Sequence, residues 1–285
     1  HLAEARLQGV GSGPSEAAAW EPLILEKQGM RIGFLSFTRW LNGARNPAEP
    51  DTSPHVAYVP YRGKVTGSFQ SPASAVELVR AAARRCDALI VAIHWGVEYS
   101  HTPNPEDRKL ARDLLEAGAL AIIGHHPHVL QPIETYRTTS GRDTLIAFSL
   151  GNLIANQDRH YIHGRRMEAD GRKRDSALLR FSLSRPQPGA PVSLEGVTVL
   201  PVWIENNHYV ARGRGKVARH IQPVLLDEEL QAIHERLVAL TARALSQPRE
   251  VRQERTALER RLDMARHRRE LILRITRPPG SDVRP

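Results

Sequence analysis

Two short segments gather the residues best suited to bind a metal. The apolar run Asp87 to Ile93 (DALIVAI) leads into His94-Trp95-Gly96-Val97-Glu98, and Ala119 to Ile123 (ALAII) leads into Gly124-His125-His126-Pro127-His128. Imidazole is the commonest nitrogen ligand for zinc, iron and manganese-type sites. A single histidine at a strand end usually serves as a hydrogen-bonded structural group. Four of them on two strand ends favour a metal site. The H-x-H spacing selects His126 and His128 as a ligand pair and leaves His125 to a supporting or substrate-contacting role. Gly124 is expected to let the backbone turn sharply, with Pro127 fixing the loop between the two ligands.

The elements that must position these groups are legible. Ser71-Pro72 opens a helix reaching about Arg85, with Pro at the first helical position. Asp87 to Ile93 follows as a strand, and Pro105 to Ala117 as a helix with Leu110, Ala111, Leu114 and Leu115 inward. Ala119 to Ile123 is the next strand. Two apolar strands joined by such a helix predict a parallel βαβ unit with a right-handed crossover, whose ligand crevice lies at the carboxyl ends of the strands. Around it, Met30 to Phe37 reads as a buried strand, and 42–71 as a long loop broken by prolines and glycines. Gln131 to Arg137 and Thr144 to Phe148 form a hairpin, and Ala177 to Leu183 and Val192 to Ile204 supply further strands. Helix returns at Asp227, with Leu230, Ile233, Leu237, Leu240 and Ala244 on one face. Residues 249–275 read as a weakly amphipathic helix and 277–285 as a disordered end.

The chain has 285 residues, with 40 Lys+Arg against 31 Asp+Glu for a net charge of +9. The excess is spread over three groups: Arg159 to Arg174, Arg212 to Arg219, and a tail from Arg249 to Arg284. In the tail, acids such as Glu250, Glu254, Glu259, Asp263 and Glu270 interleave with the arginines as on a solvated helix face. Asp143 and Asp175, in basic turns, read as solvated too. No basic stripe interleaves with aromatics, so nucleic acid is not an expected partner. The single cysteine, Cys86, rules out an internal disulfide framework and a Cys-based zinc cage; between helix and strand it reads as a small core residue. The longest apolar runs fall far below the roughly 20 residues of a membrane span. The chain opens on His1, without a basic segment followed by an apolar stretch, so no signal peptide is read.

The ordered stretches IHWGVEY, IIGHHPHVLQPIETY and LIAFSLGNLI resemble the CapA family of poly-γ-glutamate capsule biosynthesis proteins. The resemblance covers about residues 1–205. It implies a calcineurin-like metallophosphatase fold, an α/β sandwich, with a helical extension beyond it. The expected division is 1–223 for that domain and 224–285 for the extension. The resemblance places metal ligation on His94, His126 and His128, and catalysis on His94, His126 and Glu98. His125, Trp95 and Asn152 of the S-L-G-N turn would line the pocket, and Arg165 and Arg166 in the following loop would meet an anionic substrate. The implied reaction is phosphoester hydrolysis with two divalent cations (Mn, Fe or Zn), on an anionic polymer or phosphoester, in association with the cell envelope. Family members also carry G-D, N-x-E and N-N-H elements ahead of the H-W-G motif. None precedes His94, so the domain is expected to be incomplete at its N-terminus and inactive as it stands. Asn206-Asn207-His208 repeats the N-N-H letters on the wrong side of the histidines and is not assigned that role.

Overall fold

The computed structural model describes residues 4–49, 51, 53–61, 67–187, 189–208, 211, 217–243 and 248–277. A two-residue ribbon pairs β1 (Ser12–Gly13) with β4 (His55–Val56), beside a single helical turn, α1 (Glu16–Ala19). The central sheet has six strands: β2 (Leu23–Lys27), β3 (Met30–Thr38), β5 (Ala88–His94), β6 (Ala121–His125), β8 (Asp143–Ala147) and β7 (Ile133–Arg137), in that spatial order. Strands β3, β5, β6 and β8 run parallel, and β2 and β7 pair antiparallel at the two edges. The expected βαβ unit is therefore present, together with the expected hairpin.

Helices α2 (Pro72–Ala83) and α3 (Pro105–Glu116) start alike. The Ser71 hydroxyl accepts the Ser74 N–H at 3.0 Å and the Asn104 side chain accepts the Asp107 N–H at 2.7 Å, each followed by proline at the first helical position. Both cover one face of the sheet. There Leu35, Phe37, Leu89, Val91 and Ile93 pack with Val79, Leu110 and Leu114. The alternate positions, Ile90, Ala121, Ile123, Leu145 and Ala147, face the opposite core. Period-two alternation with apolar residues on both sides is what a sheet covered on both faces requires.

The second face is covered by an antiparallel sheet, β11 (Ile221–Leu225), β10 (Ser193–Asn206) and β9 (Asp175–Ser184), and by the C-terminal helices α4 (Leu226–Arg243) and α5 (Pro248–Thr276). Met264, Ala265 and Ile272 share a core with Ala121, Leu145 and Trp203. This is an α/β sandwich of the metallophosphatase type with a helical C-terminal region. Strand β11 escapes sequence reading because Pro223 interrupts its pattern. The strand lies at a sheet edge, where a missing N–H is tolerated. The expected Val192 to Ile204 segment is one long strand, β10, with an irregularity between Glu195 and Thr198. Cys86 is half-buried against the core, as expected. Arg212, Arg214, Lys216 and 278–285 lie outside the described residues. No described helix is long and apolar enough to cross a membrane.

Two expectations about charge fail. Asp143 is exposed and pairs with Arg137, but Asp175 is buried. Nor is the arginine-rich tail uniformly solvated: Arg268, with 0% of its side chain exposed, bonds Asp175 at 3.2 Å and lies 4.5 Å from the Tyr161 ring centroid. Strand β9 begins inside the molecule, under α5, so its first carboxylate cannot reach water. Burial pushes the Asp175 carboxyl up to about 7, against the pull of Arg268.

Arg268→Ala leaves that carboxyl without its partner and is expected to cost about 3–5 kcal/mol in urea unfolding, whereas exposed Arg266→Ala changes stability by about 0.5 kcal/mol or less. The folded chain holds the Asp175 proton more tightly than the unfolded chain, so this group's contribution falls as pH rises from the unfolded carboxylate range to about 7. Without Arg268 the folded value rises further, and the loss continues to deepen above pH 7. A deficit below about 1 kcal/mol at both pH 6 and pH 8.5 contradicts this assignment.

Candidate functional site

Thr38, His94 and His125 stand in register at the carboxyl edge of β3, β5 and β6. Parallel pairing puts the two histidine-bearing loops side by side, and backbone bonds lock them. The Trp95 N–H donates to the His125 carbonyl at 2.9 Å and the Tyr99 N–H to the Pro127 carbonyl at 2.8 Å. Gly124 is not the turning point. It lies within β6, and a Cβ there would come within 2.1 Å of the Phe148 carbonyl oxygen and 2.4 Å of Trp95 Nε1. Its task is close approach. The turning is done by His126 and His128 themselves, at φ 105° and 61°.

The His94 and His126 ring centroids are 4.5 Å apart, and those of His126 and His128 are 6.1 Å apart. The His125 ring is tied to the Gly151 backbone in the S-L-G-N turn. Asn152, in the same turn, decides the form of His128. Its amide nitrogen faces the carbonyls of His128 (3.3 Å) and Lys173 (3.0 Å), so that end must be the donor. The amide oxygen, 2.9 Å from His128 Nδ1, is therefore an acceptor, and a neutral His128 carries its proton on Nδ1. Its Nε2 lone pair is left free on the side where Glu98 Oε1 lies 3.9 Å away. Burial, followed by the neighbouring rings of His126, His125 and His128, pulls His94 down to about 4. Burial also lowers His126, against the pull of Glu98. Neutral imidazole is the ligand form. Even so, among the described residues no three His, Cys, Asp or Glu side chains come together as a group that could hold a metal ion.

Trp95 does not line the pocket. It is 1% exposed, stacks on Phe148 and donates its indole N–H to the Phe148 carbonyl at 2.9 Å. The aromatic walls are Trp40, 5.8 Å from the His126 ring, and Tyr99, 6.1 Å from the His128 ring. Behind them is a buried ion pair. Arg39 Nη1 donates to Asp107 Oδ1 at 2.7 Å, Tyr61 donates to the same carboxylate at 2.8 Å, and the Tyr61 oxygen accepts the Gly96 N–H at 2.6 Å. Arg165 and Arg166 are exposed and line two other hollows, neither bounded by these histidines. The basic segment folds back as a 3-10 turn (Glu168–Arg174), so it is Lys173 that reaches the site, with Nζ 4.8 Å from the Tyr99 ring centroid. His208 packs edge-on against His160, with ring centroids 4.8 Å apart.

Gly124→Ala is expected to force β6 and the Phe148 carbonyl apart and cost about 1–3 kcal/mol in denaturant unfolding. Trp95→Phe, which leaves that buried carbonyl without its donor, is expected to cost a similar ~1–3 kcal/mol. Wild-type stability in both variants contradicts the contact as described.

The bacterial capsule synthesis protein PGA_cap family model matches residues 1–157, a span that contains all three motifs. The PGA biosynthesis protein CapA of Bacillus subtilis (strain 168) is 33% identical over 206 residues, covering 70% of this chain and 47% of that protein. The capsule biosynthesis protein CapA of Bacillus anthracis is 37% identical over 97 residues, covering 34% of this chain and 20% of that protein. A probable polyglutamine synthesis accessory protein of Mycobacterium tuberculosis (strain ATCC 25618 / H37Rv) is 30% identical over 109 residues, covering 38% and 26%. The chain thus spans less than half the length of these curated relatives. With its motifs at one sheet edge and more than half of its length matched, the chain belongs to the bacterial capsule synthesis protein PGA_cap family.

Proposed function

We propose that the chain carries the histidine half of a metal-dependent hydrolase centre of phosphoesterase type, in a protein serving capsule or poly-γ-glutamate synthesis. The observation that carries this reading is the Asn152 amide oxygen 2.9 Å from His128 Nδ1, which leaves Nε2 as the ring's unprotonated nitrogen, with the His126 ring next to His128 and the His94 ring next to His126. A hydrogen-bonded second nitrogen is the usual support of a metal-ligating histidine. His94, His126 and His128 would hold the cation (Mn, Fe or Zn), which when bound supplies Lewis acidity toward a phosphoryl oxygen. Glu98 accepts a proton and His125 contacts substrate, with Trp40 and Tyr99 excluding water from the flanks. Imidazole donors suit a divalent cation by type, although among the described residues no three of them are gathered closely enough to hold one. For two such cations a few ångströms apart, the mutual repulsion calls for bridging negative charge, and Glu98 is the only carboxylate that the resemblance assigns here.

A second reading, a non-catalytic assembly or polymer-binding protein of a capsule system, is favoured by the lack of a closed ligand group among the described residues.

Metal titration by calorimetry and hydrolysis of bis(p-nitrophenyl) phosphate separate the two. We expect at most one equivalent of Mn2+ or Zn2+, affinity lost in His128→Ala and reduced about 10- to 100-fold in Asn152→Ala, and turnover that is slow, since no G-D or N-x-E element lies ahead of His94, but needs the metal. Metal bound without turnover selects the assembly reading, and no metal bound overturns the hydrolase reading.

In the metal-free chain the His94 ring is expected to stay neutral down to about pH 4, read from its imidazole proton shift by NMR. Because the unfolded chain then protonates this histidine first, its contribution to stability falls as pH drops from about 6.5 toward 4. A His94 midpoint near 6.5 contradicts the burial described.

A further inference from the structure

Outside the histidine cluster, a hollow of about 640 Å3 lies between the Tyr161–Arg174 stretch, β10 and α5. Its floor is Trp203 and Tyr161, both buried, and its charged lining includes Arg165, Arg174, Arg260 and Arg261. Arg261 is neutralised by Glu205 at 2.5 Å and Glu229 at 2.6 Å, and the carboxylate in the wall, Asp263, is taken up by His163 at 2.9 Å. The other three arginines form no ion pair among the described residues. Arg174 is the most telling of them. It is 6% exposed, its guanidinium carbon lies 4.2 Å from the Trp203 ring centroid, and Nε donates to the Ile204 carbonyl at 2.7 Å. Glu205 and Asp158 act on it only from beyond ion-pair distance, and a guanidinium taken this far out of water with no carboxylate in contact is costly unless an anion completes it. Arg165 and Arg260 stand above it, exposed, so three positive charges face one space large enough for a small ligand.

We propose that this hollow is a binding site for a polyvalent anion bearing closely spaced carboxylate or phosphate oxygens, with Arg174 as the buried fork and Arg165 and Arg260 as the outer clamps. Planar guanidinium forks match both kinds of oxygen pair. One carboxylate would balance only one of the three arginines, which is why the ligand carries several charges. The inference does not rest on the hydrolase reading, since none of these residues belongs to the histidine cluster.

The test is calorimetric titration of the full chain with tri-γ-glutamate and, separately, with inorganic pyrophosphate, at low and high salt. Saturable one-to-one binding of at least one probe is expected. It should weaken at least tenfold in Arg165→Gln/Arg260→Gln, with a shallower salt dependence, while Arg84→Gln, outside the hollow, binds as wild type. Both substituted side chains are exposed, so the double variant keeps its fold; Arg174→Lys, which keeps the charge and loses the fork, should weaken binding as well. Tighter binding of the peptide assigns the site to a carboxylate chain, and tighter binding of pyrophosphate to a phosphate ester. No saturable binding of either probe, or equal affinity in wild type and the double variant, overturns the proposal. Metal affinity measured on the same variants keeps that failure separate from a failure of the histidine site.

Discussion

One hydrogen bond ties the three motifs of this chain together. The Trp95 indole N–H, from the H-W-G loop, reaches the Phe148 carbonyl, just before S-L-G-N, and does so across Gly124, which opens G-H-H-P-H. The bond exists only because residue 124 has no side chain. Around it the three parallel strands keep their register, so His94 and His125 leave the sheet at the same level and Asn152 meets His128. The motif residues split accordingly: Trp95 and Gly124 hold the frame, and the histidines and Asn152 face the site.

Two buried ion pairs extend the frame. Arg39–Asp107 joins the end of β3 to the first turn of α3 and, through Tyr61, presents a hydrogen-bond acceptor to the Gly96 N–H. Arg268–Asp175 joins the last helix to the start of β9. Well-packed apolar pairs could match the stability of such contacts. What an apolar pair would lack is direction. Each of these arginines also bonds a backbone carbonyl, Arg39 to Val59 and Arg268 to Glu168, and so fixes where the segment after β4 and the start of the 3-10 turn must lie.

The regular parts of this arrangement were legible because they rest on local rules. Capping Ser71 and Asn104 with proline behind them, two apolar strands, and the histidines after each strand are all readable in short windows. The residues that escaped come from segments without periodicity. Trp40 reaches the site from the segment after β3, Tyr61 from the segment after β4 and Lys173 from the 3-10 turn, and nothing local marks where those segments fold back. Arg165 and Arg166 were placed at the histidines from their position after S-L-G-N, and that same fold-back carries them elsewhere. Trp95 was misplaced for a different reason: membership of a motif does not say which way a side chain points, and the alternation of β5, continued one residue past its end, buries Trp95 next to His94, which faces the site half-buried. Asp175 looked solvated among arginines, but one arginine from the far end of the chain had been folded over it.

The backbone at the histidines bears on how the site acts. His126 at φ 105° and His128 at φ 61° occupy conformations that side chains with a Cβ rarely adopt, at a cost of about 1–3 kcal/mol each. A loop serving only as a connection could relax by taking glycine at either position. Here both keep an imidazole, the backbone around them is pinned by the Tyr99–Pro127 bond, and Asn152 sets the His128 proton. Strain, backbone pinning and tautomer selection act on the same few atoms. Together they hold two rings at a defined spacing before any ligand arrives, which lowers the ordering cost of binding. The hydrolase reading needs a pre-set imidazole pair of this kind, and it also needs negative charge beside it, where Glu98, with 51% of its side chain exposed, stands 3.9 Å from His128 Nε2.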